Sequence, residues 1–370
     1  MGKDIITLLH LDSNLKRVAE KVLSAERITP GEAIILFSSA HLGLLAVLAD
    51  IVKKRFNENH VFFNHNFHIE PTNICINNCR FCSYKRKKGE AGAWEYTIDE
   101  ILKKIKIHAA SGAKEVHIVG GVYPGRDLYY YADMISSIKQ QEPQLHIKAF
   151  TAVEIDYMCS IAGIPADKGL KILKDAGLQS MPGGGAEIFD EKIRAKICPD
   201  KIDAKRWLEI HAAAHKTGIP TNATMLYGLI ENYTHRADHL NRLRTLQDST
   251  NGFNAFIPLK FRNINNDFSN INEVSLIEDL KNYAVSRIFL DNIPHLKAYW
   301  PMIGKQAASI ALEFGVDDLD GTIDNSTRIY TMAGSDENPA ASREELINMI
   351  KKMNRTPVER DSIYNVLATF

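Results

Sequence analysis

CINNCRFCSY, Cys75 to Tyr84, carries three thiols at Cys75, Cys79 and Cys82. The chain has five cysteines, and these three fall within eight residues; Cys159 and Cys198 stand alone. Thiols this close cannot all pair with one another, and the next cysteine is far off in sequence. The C-x3-C-x2-C spacing lets three soft sulfurs point into one cavity, as ligands for iron or zinc. Three is the informative count. A cluster held by four cysteines is coordinatively closed and only passes electrons. One held by three leaves an iron open to a small molecule, much as a catalytic zinc keeps an open position. Phe81 would shield such a cluster, and Tyr84 lies just beyond the last ligand. The alternative is a structural zinc with a histidine as fourth ligand, in a non-catalytic scaffold. Such sites usually show a second close pair of ligands, and no C-x2-C or C-x-H partner follows nearby.

The same spacing, followed closely by an aromatic, resembles the signature of the radical S-adenosylmethionine (radical SAM) enzymes. The resemblance implies a [4Fe–4S] cluster on Cys75, Cys79 and Cys82. S-adenosylmethionine then chelates the fourth iron through its amino and carboxylate groups. It also implies Tyr84 beside the cofactor and an electron donor such as flavodoxin or ferredoxin.

Bulk composition sets the limits. The 370 residues suit two average domains or one large α/β barrel. Hydrophobic content of 45% and charged content of 24% are those of an ordinary globular protein. Lys+Arg and Asp+Glu are both 45, which argues against a nucleic-acid binder. The short basic run Lys85-Arg86-Lys87-Lys88 reads as a solvated loop. The first residues, MGKDIITLLHLDSN, lack the apolar core of a signal peptide. The apolar run from His41 to Ile51 is too short to span a membrane and contains Asp50. A cytoplasmic protein without a membrane span is expected, in keeping with reduced cysteines.

Residues 1–58 read as a helical N-terminal extension, with starts at Ser13 and at Thr29-Pro30. Leu44, Val47, Leu48 and Ile51 recur at helical spacing. Then strand and helix alternate. Eight strands are expected, at Phe67–Thr72, Glu115–Gly120, Leu145–Thr151, Leu178–Met181, Asn222–Tyr227, Ala255–Phe261, Arg287–Asp291 and Val316–Leu319. Helices between them, such as 98–111, 204–217 and 237–248, make the strands parallel. Eight units favour a (β/α)8 TIM-type barrel over residues 59–330, of the radical SAM kind by resemblance. Residues 331–370 read as a helical tail packed on it. Six units plus a tail is the alternative count.

A barrel gathers its working residues where strands end, and the cysteine loop follows the first strand. Gly120-Gly121 follows the second; lacking side chains, it lets a ligand approach the backbone. By resemblance this segment meets the methionyl amino group of the cofactor, with Val122 where an acid is usual. Glu154, after the third strand, is expected to accept hydrogen bonds from the cofactor, or to serve only as a helix-start residue. Pro182-Gly183-Gly184-Gly185 is neither a Walker A loop nor a dinucleotide fingerprint. It still offers a concave backbone, so Gly183 and Gly184 are expected beside the cofactor. Arg194 could clamp a carboxylate bidentately, or be an exposed helical arginine. His211 and His215 lie on one helix face, but the glutamate of H-E-x-x-H is missing, and His235 and His239 read likewise. Asp291, Asn292, His295, Asp318 and Asp320 are further rim candidates.

Several stretches resemble the aminofutalosine synthase family and its relatives, the dehypoxanthine futalosine cyclases and deazaflavin (FO) synthase subunits. They are HIEPTNICINNCRFCSY, KAFTAVEI, PGGGAEIF, TNATMLYG, LQDSTNGFNAFIPLKF, RIFLDNIPHLKAYW and DDLDGT. Leu226-Tyr227 and Pro258-Leu259 incline the resemblance to the synthases. It implies addition of the 5′-deoxyadenosyl radical to 3-[(1-carboxyvinyl)oxy]benzoate, giving 6-amino-6-deoxyfutalosine and bicarbonate in menaquinone biosynthesis. A small dicarboxylate substrate needs cations facing the barrel. Arg262, Arg287, Lys260, His68 and Arg194 are the candidates.

Overall fold

A computed structural model describes residues 11–335 and 339–370. Seven parallel strands build a barrel wall: β1 His60–Ile69, β2 Glu115–Ile118, β3 His146–Ala149, β4 Thr221–Tyr227, β5 Phe253–Lys260, β6 His295–Leu296 and β7 Asp318–Ile323. β1 pairs with β2, β2 with β3, β4 with β5 and β5 with β6. Ser180 and Met181 bridge β3 to β4 as an eighth stave, and Lys297 bridges to Asp318 of β7. β7 pairs back onto β1, which closes the wall. The expected (β/α)8 barrel is what the chain forms.

Two of the expected strands do not form as regular strands. Leu178–Met181 contributes only isolated bridges. Arg287–Asp291, expected as a strand, instead ends the helix Leu276–Phe289 and its C-cap. A short apolar run reads alike as strand or buried helix, and here Tyr283, Val285, Ile288 and Phe289 are all buried. Asp291 and Asn292 therefore precede a strand, at the end of the barrel away from the cysteine loop. Asp291 pairs with Arg27 of the N-terminal layer and Asn292 bonds Asp248. They are not rim residues.

Strand alternation decides the barrel's interior. Along β1, Val61, Phe63, Phe67 and Ile69 join the core under the helices. Asn64, Asn66 and His68 are buried on the other face. That inner layer is charged but paired. Lys148 meets Glu115 at 2.7 Å, Lys297 meets Asp320 at 2.7 Å, and Arg360 meets Asp318 at 2.7 Å. Asp318 and Asp320 thus work inside the barrel, and His295 bonds Asp317 at 2.8 Å.

The N-terminal layer is helical, with helices Ser13–Leu23, Pro30–Ser39 and Leu42–Asn57. Thr29 caps the second through a reciprocal bond with Glu32. In the third, Leu44, Leu45, Leu48, Ala49 and Val52 are buried, so the inner face is rotated from the expected one. The expected helical tail carries only the helix Arg343–Lys352 as regular structure beyond residue 339 before turning to strand. β8, Thr356–Arg360, pairs in parallel with the amino half of β1, and β9, Val366–Thr369, pairs antiparallel with β8.

Arg360 and Asp318 are both fully buried. Replacing one partner of such a pair strands the other charge. Arg360→Met should cost about 3–5 kcal/mol of stability in urea denaturation. A loss below about 1 kcal/mol would mean that water serves Asp318 in its place.

Candidate functional site

The cysteine loop is strapped to the end of β2 mainly by backbone. Gly121 N donates to Thr72 O at 2.8 Å and Ile76 N to Val122 O at 3.0 Å. Val122 N donates to Cys75 Sγ at 3.4 Å. A side chain on Gly121 would put Cβ 2.3 Å from Ile74 O, and one on Gly120 would put it 2.8 Å from Thr72 O. These glycines are needed for loop packing, a second role beside the expected ligand approach. Lys85 Nζ donates to Cys79 O at 2.8 Å and Lys87 Nζ to Cys75 O at 3.3 Å, so part of the basic run folds back onto the loop.

Cys75, Cys79 and Cys82 line one cavity of about 120 Å³. Tyr84, Gly120, Gly121, Glu154 and Lys201 share its wall. Burial pushes the Cys79 thiol up to about 12, against the pull of Lys201, and burial likewise raises Cys75. Such thiols stay protonated until a metal displaces the proton. Glu154 is a capping residue and more. It accepts from Thr151 N at 2.7 Å and Thr151 Oγ1 at 2.8 Å, and its other oxygen accepts from Gly120 N at 3.1 Å. It thereby ties the end of β2 to the end of β3. Tyr84 donates to Thr72 O at 3.0 Å.

Three expected cofactor residues lie elsewhere. A Cβ on Gly183 would strike Asn222 O at 2.6 Å, and one on Gly184 would strike Thr151 Cγ2 at 2.8 Å. Both glycines serve packing between neighbouring staves, and neither borders the cysteine cavity. Arg194 is buried and donates to the carbonyls of Ala186, Ile188, Gly185 and Ile202. With its fork spent on backbone, it neither clamps a ligand carboxylate nor sits exposed. The histidines are structural: His211 and His215 share the Thr221 hydroxyl, and His239 bonds Thr224 O. Sequence reasoning missed Lys201, which pairs with Glu187 and lies 5.4 Å from the Phe81 ring centre. Nothing in the spacing of ICPDKID distinguishes that lysine.

A second cavity, about 160 Å³, adjoins the first. Cys82 and Tyr84 border both. Phe81, Leu226, Leu259, Phe261 and Met302 make it apolar, with Arg262, Glu187 and Tyr330 as polar edges. Of the expected cations Arg262 and Lys260 border this cavity; Arg262 is anchored on Met302 O and Gly334 O, with its Nε 3.1 Å from Glu273. Lys260, although on the wall, is tied to Asp279 and Val274 O. Arg287 donates to the carbonyls of Leu290, Ile293 and Pro294. His68 lies in the polar lumen beside His117, held neutral because burial lowers its pKa to about 4.

Residues 69–243 match the Radical SAM superfamily, and residues 250–369 match the CofH/MqnC C-terminal region. The aminodeoxyfutalosine synthase of Thermus thermophilus is 42% identical, over 95% of this chain and 96% of its own length. The enzyme of the same name from Streptomyces coelicolor is 39% identical, over 97% of this chain and 96% of its own. The chain belongs to the radical SAM superfamily. The [FeFe]-hydrogenase maturase HydG shares the radical SAM fold, with a TM-score of 0.73 at 18% identity, covering 93% of this chain and 75% of HydG.

Radical SAM membership implies a [4Fe–4S] cluster and S-adenosylmethionine, and the cysteine cavity suits them. Its donors are soft thiols, and the Val122 N–H on Cys75 Sγ is the kind of hydrogen bond that tunes a cluster. Among the described residues no three His, Cys, Asp or Glu groups converge on one metal ion.

Burial raises the Glu154 carboxyl to about 7, against the hydrogen bonds from Thr151 and Gly120. A raised acid stabilises the fold below its unfolded value and loses that contribution as pH climbs through the folded value. Stability should therefore fall by up to about 3 kcal/mol between pH 4.5 and 7 through this group. Urea denaturation across that window should show the slope in the native chain and not in Glu154→Gln. Equal slopes in both would remove Glu154 as the source.

Proposed function

We propose that the chain is a radical SAM synthase of menaquinone biosynthesis. It joins the 5′-deoxyadenosyl group of S-adenosylmethionine to 3-[(1-carboxyvinyl)oxy]benzoate and, with one water taken up by the carboxyl group that is lost, gives 6-amino-6-deoxyfutalosine, methionine and bicarbonate. The observation that carries this reading is the near full-length likeness to two enzymes named aminodeoxyfutalosine synthase. Two adjoining cavities of suitable chemistry support it.

Cys75, Cys79 and Cys82 hold the cluster. When bound, the cluster supplies one electron that cleaves S-adenosylmethionine to methionine and the 5′-deoxyadenosyl radical. The electron comes from a donor such as flavodoxin or ferredoxin. Lys201, on the wall of the cysteine cavity, offers a cation to the methionine carboxylate. Gly120, Gly121, Tyr84 and Glu154 border the remainder of the cofactor. The apolar cavity takes the arene, and its lining excludes water from the reacting carbons. Leu226 and Leu259, side by side across β4 and β5, form part of that wall. Arg262 brings positive charge to a substrate carboxylate. Because Cys82 and Tyr84 border both cavities, the reacting centres meet across one thin partition, which supplies orientation.

Protein reconstituted anaerobically, given reductant and the enolpyruvyl benzoate, should convert S-adenosylmethionine into an adenylated product detected by mass spectrometry. Free 5′-deoxyadenosine as the main product would overturn the synthase reading in favour of the cyclase or another hydrogen-abstracting relative. In Cys79→Ala, brown cluster absorbance and product should both vanish. Activity retained there would rule out the radical reading altogether.

A further inference from the structure

A third cavity, about 150 Å³, opens between the carboxyl end of β1 and the segment after β7. It shares no lining residue with the other two. Two cations, Lys104 and Arg328, line it. Among the described residues neither has a carboxylate within ion-pair distance. Each lies instead over an aromatic ring of the same cavity. Lys104 Nζ stands 4.7 Å from the Tyr96 ring centre, and the Arg328 guanidinium 5.0 Å from that of Trp94. A cation held on a π face keeps its outward hydrogens free for a ligand.

Glu70 also lines this cavity and is 4% exposed. Its Oε1 accepts from the Thr327 hydroxyl and from the N–H groups of Arg328 and Ile329, at 2.9, 2.9 and 3.1 Å. Its Oε2 is buried without a hydrogen-bond partner. A buried oxygen without a donor is costly, and native structures rarely leave one so. The missing group is thus a donor, placed where two cations also ask for negative charge. Burial raises the Glu70 pKa, which favours sharing a proton there over facing a bare anion.

We propose that this cavity binds a small oxyanion carrying its own hydrogen. The negative oxygens meet Lys104 and Arg328, and the O–H meets Glu70 Oε2. Bicarbonate and hydrogen phosphate share this chemistry; formate and nitrate have the charge without the hydrogen. The site stands independently of the proposed reaction. It adjoins the cysteine cavity through Trp94. The Trp94 ring meets Tyr84 edge-on at 5.3 Å, and Trp94 Nε1 donates to Glu70 O at 3.1 Å. Occupancy therefore bears on Tyr84, which borders both cavities of the candidate site.

Of the three tryptophans Trp94 alone lines this cavity, so a ligand-dependent change in tryptophan fluorescence reports on it. Cluster-loaded protein is titrated anaerobically with bicarbonate and, separately, hydrogen phosphate, at fixed ionic strength, by tryptophan fluorescence and calorimetry. A saturable change is expected, and the tighter of the two oxyanions names the source. Formate and nitrate should bind about tenfold more weakly, the loss of one charge-assisted hydrogen bond. The double variant Lys104→Ala/Arg328→Ala should keep its thermal midpoint and lose at least about tenfold in affinity. Glu70→Gln should bring formate and bicarbonate to within about twofold of each other. The proposal is overturned if neither oxyanion saturates, if nitrate binds as tightly as bicarbonate, or if the double variant binds as the native chain does.

Discussion

Among the glycines of the described residues, the tightest approach to main chain is that of Gly121 to the Ile74 carbonyl group. No side chain fits there, because the obstacle is main chain and cannot swing aside. The cysteine loop can therefore lie flat on the end of β2, with Val122 N–H aimed at Cys75 Sγ. Glu154 extends the platform by tying Gly120 to Thr151. The ends of three strands are thus fixed relative to one another before any ligand arrives, which is what a preorganised site requires.

Below that platform the barrel is filled by paired charges, and above it the space divides by polarity. The cysteine cavity carries Lys201 and Glu154; its neighbour is walled by leucine, phenylalanine and methionine. Glu187 lines the apolar cavity while pairing with Lys201 of the other. A charged cofactor and an aromatic substrate would each find a matching wall, with the reactive ends brought together at Cys82 and Tyr84. The closed wall keeps water from approaching except from the rim.

The cysteine spacing was legible because a metal site compresses its chemistry into a short stretch. The alternation of strand and helix was legible from hydrophobic periodicity. Arg287–Asp291 misled because RIFL is apolar throughout, and such a run does not say whether a helix or a strand is buried. β1 was read from Phe67, although it begins at His60; Asn64 and Asn66 hid its first half, since asparagine is rare in strands. Arg194 illustrates the harder limit. Its sequence context gives an arginine near a glycine loop, and only the fold shows four carbonyls absorbing its donors. Lys201 illustrates the converse, a residue without a motif that tertiary structure brings to the cysteines.

The pairing of β8 with the amino half of β1 has a bearing on how the protein is made. Arg355 bonds Asn59 across a separation of 296 residues, and the adjoining strands pair over the same span. Contacts so distant in sequence form late and slowly. A chain emerging from the ribosome must hold its first strand and its cysteine loop in waiting until β8 is synthesised. Arg360, which neutralises Asp318 inside the barrel, arrives only then. During that interval Asp318 has only the more distant Lys297, 3.9 Å away, and the amino half of β1 lacks its β8 neighbour, the conditions under which nascent chains associate wrongly.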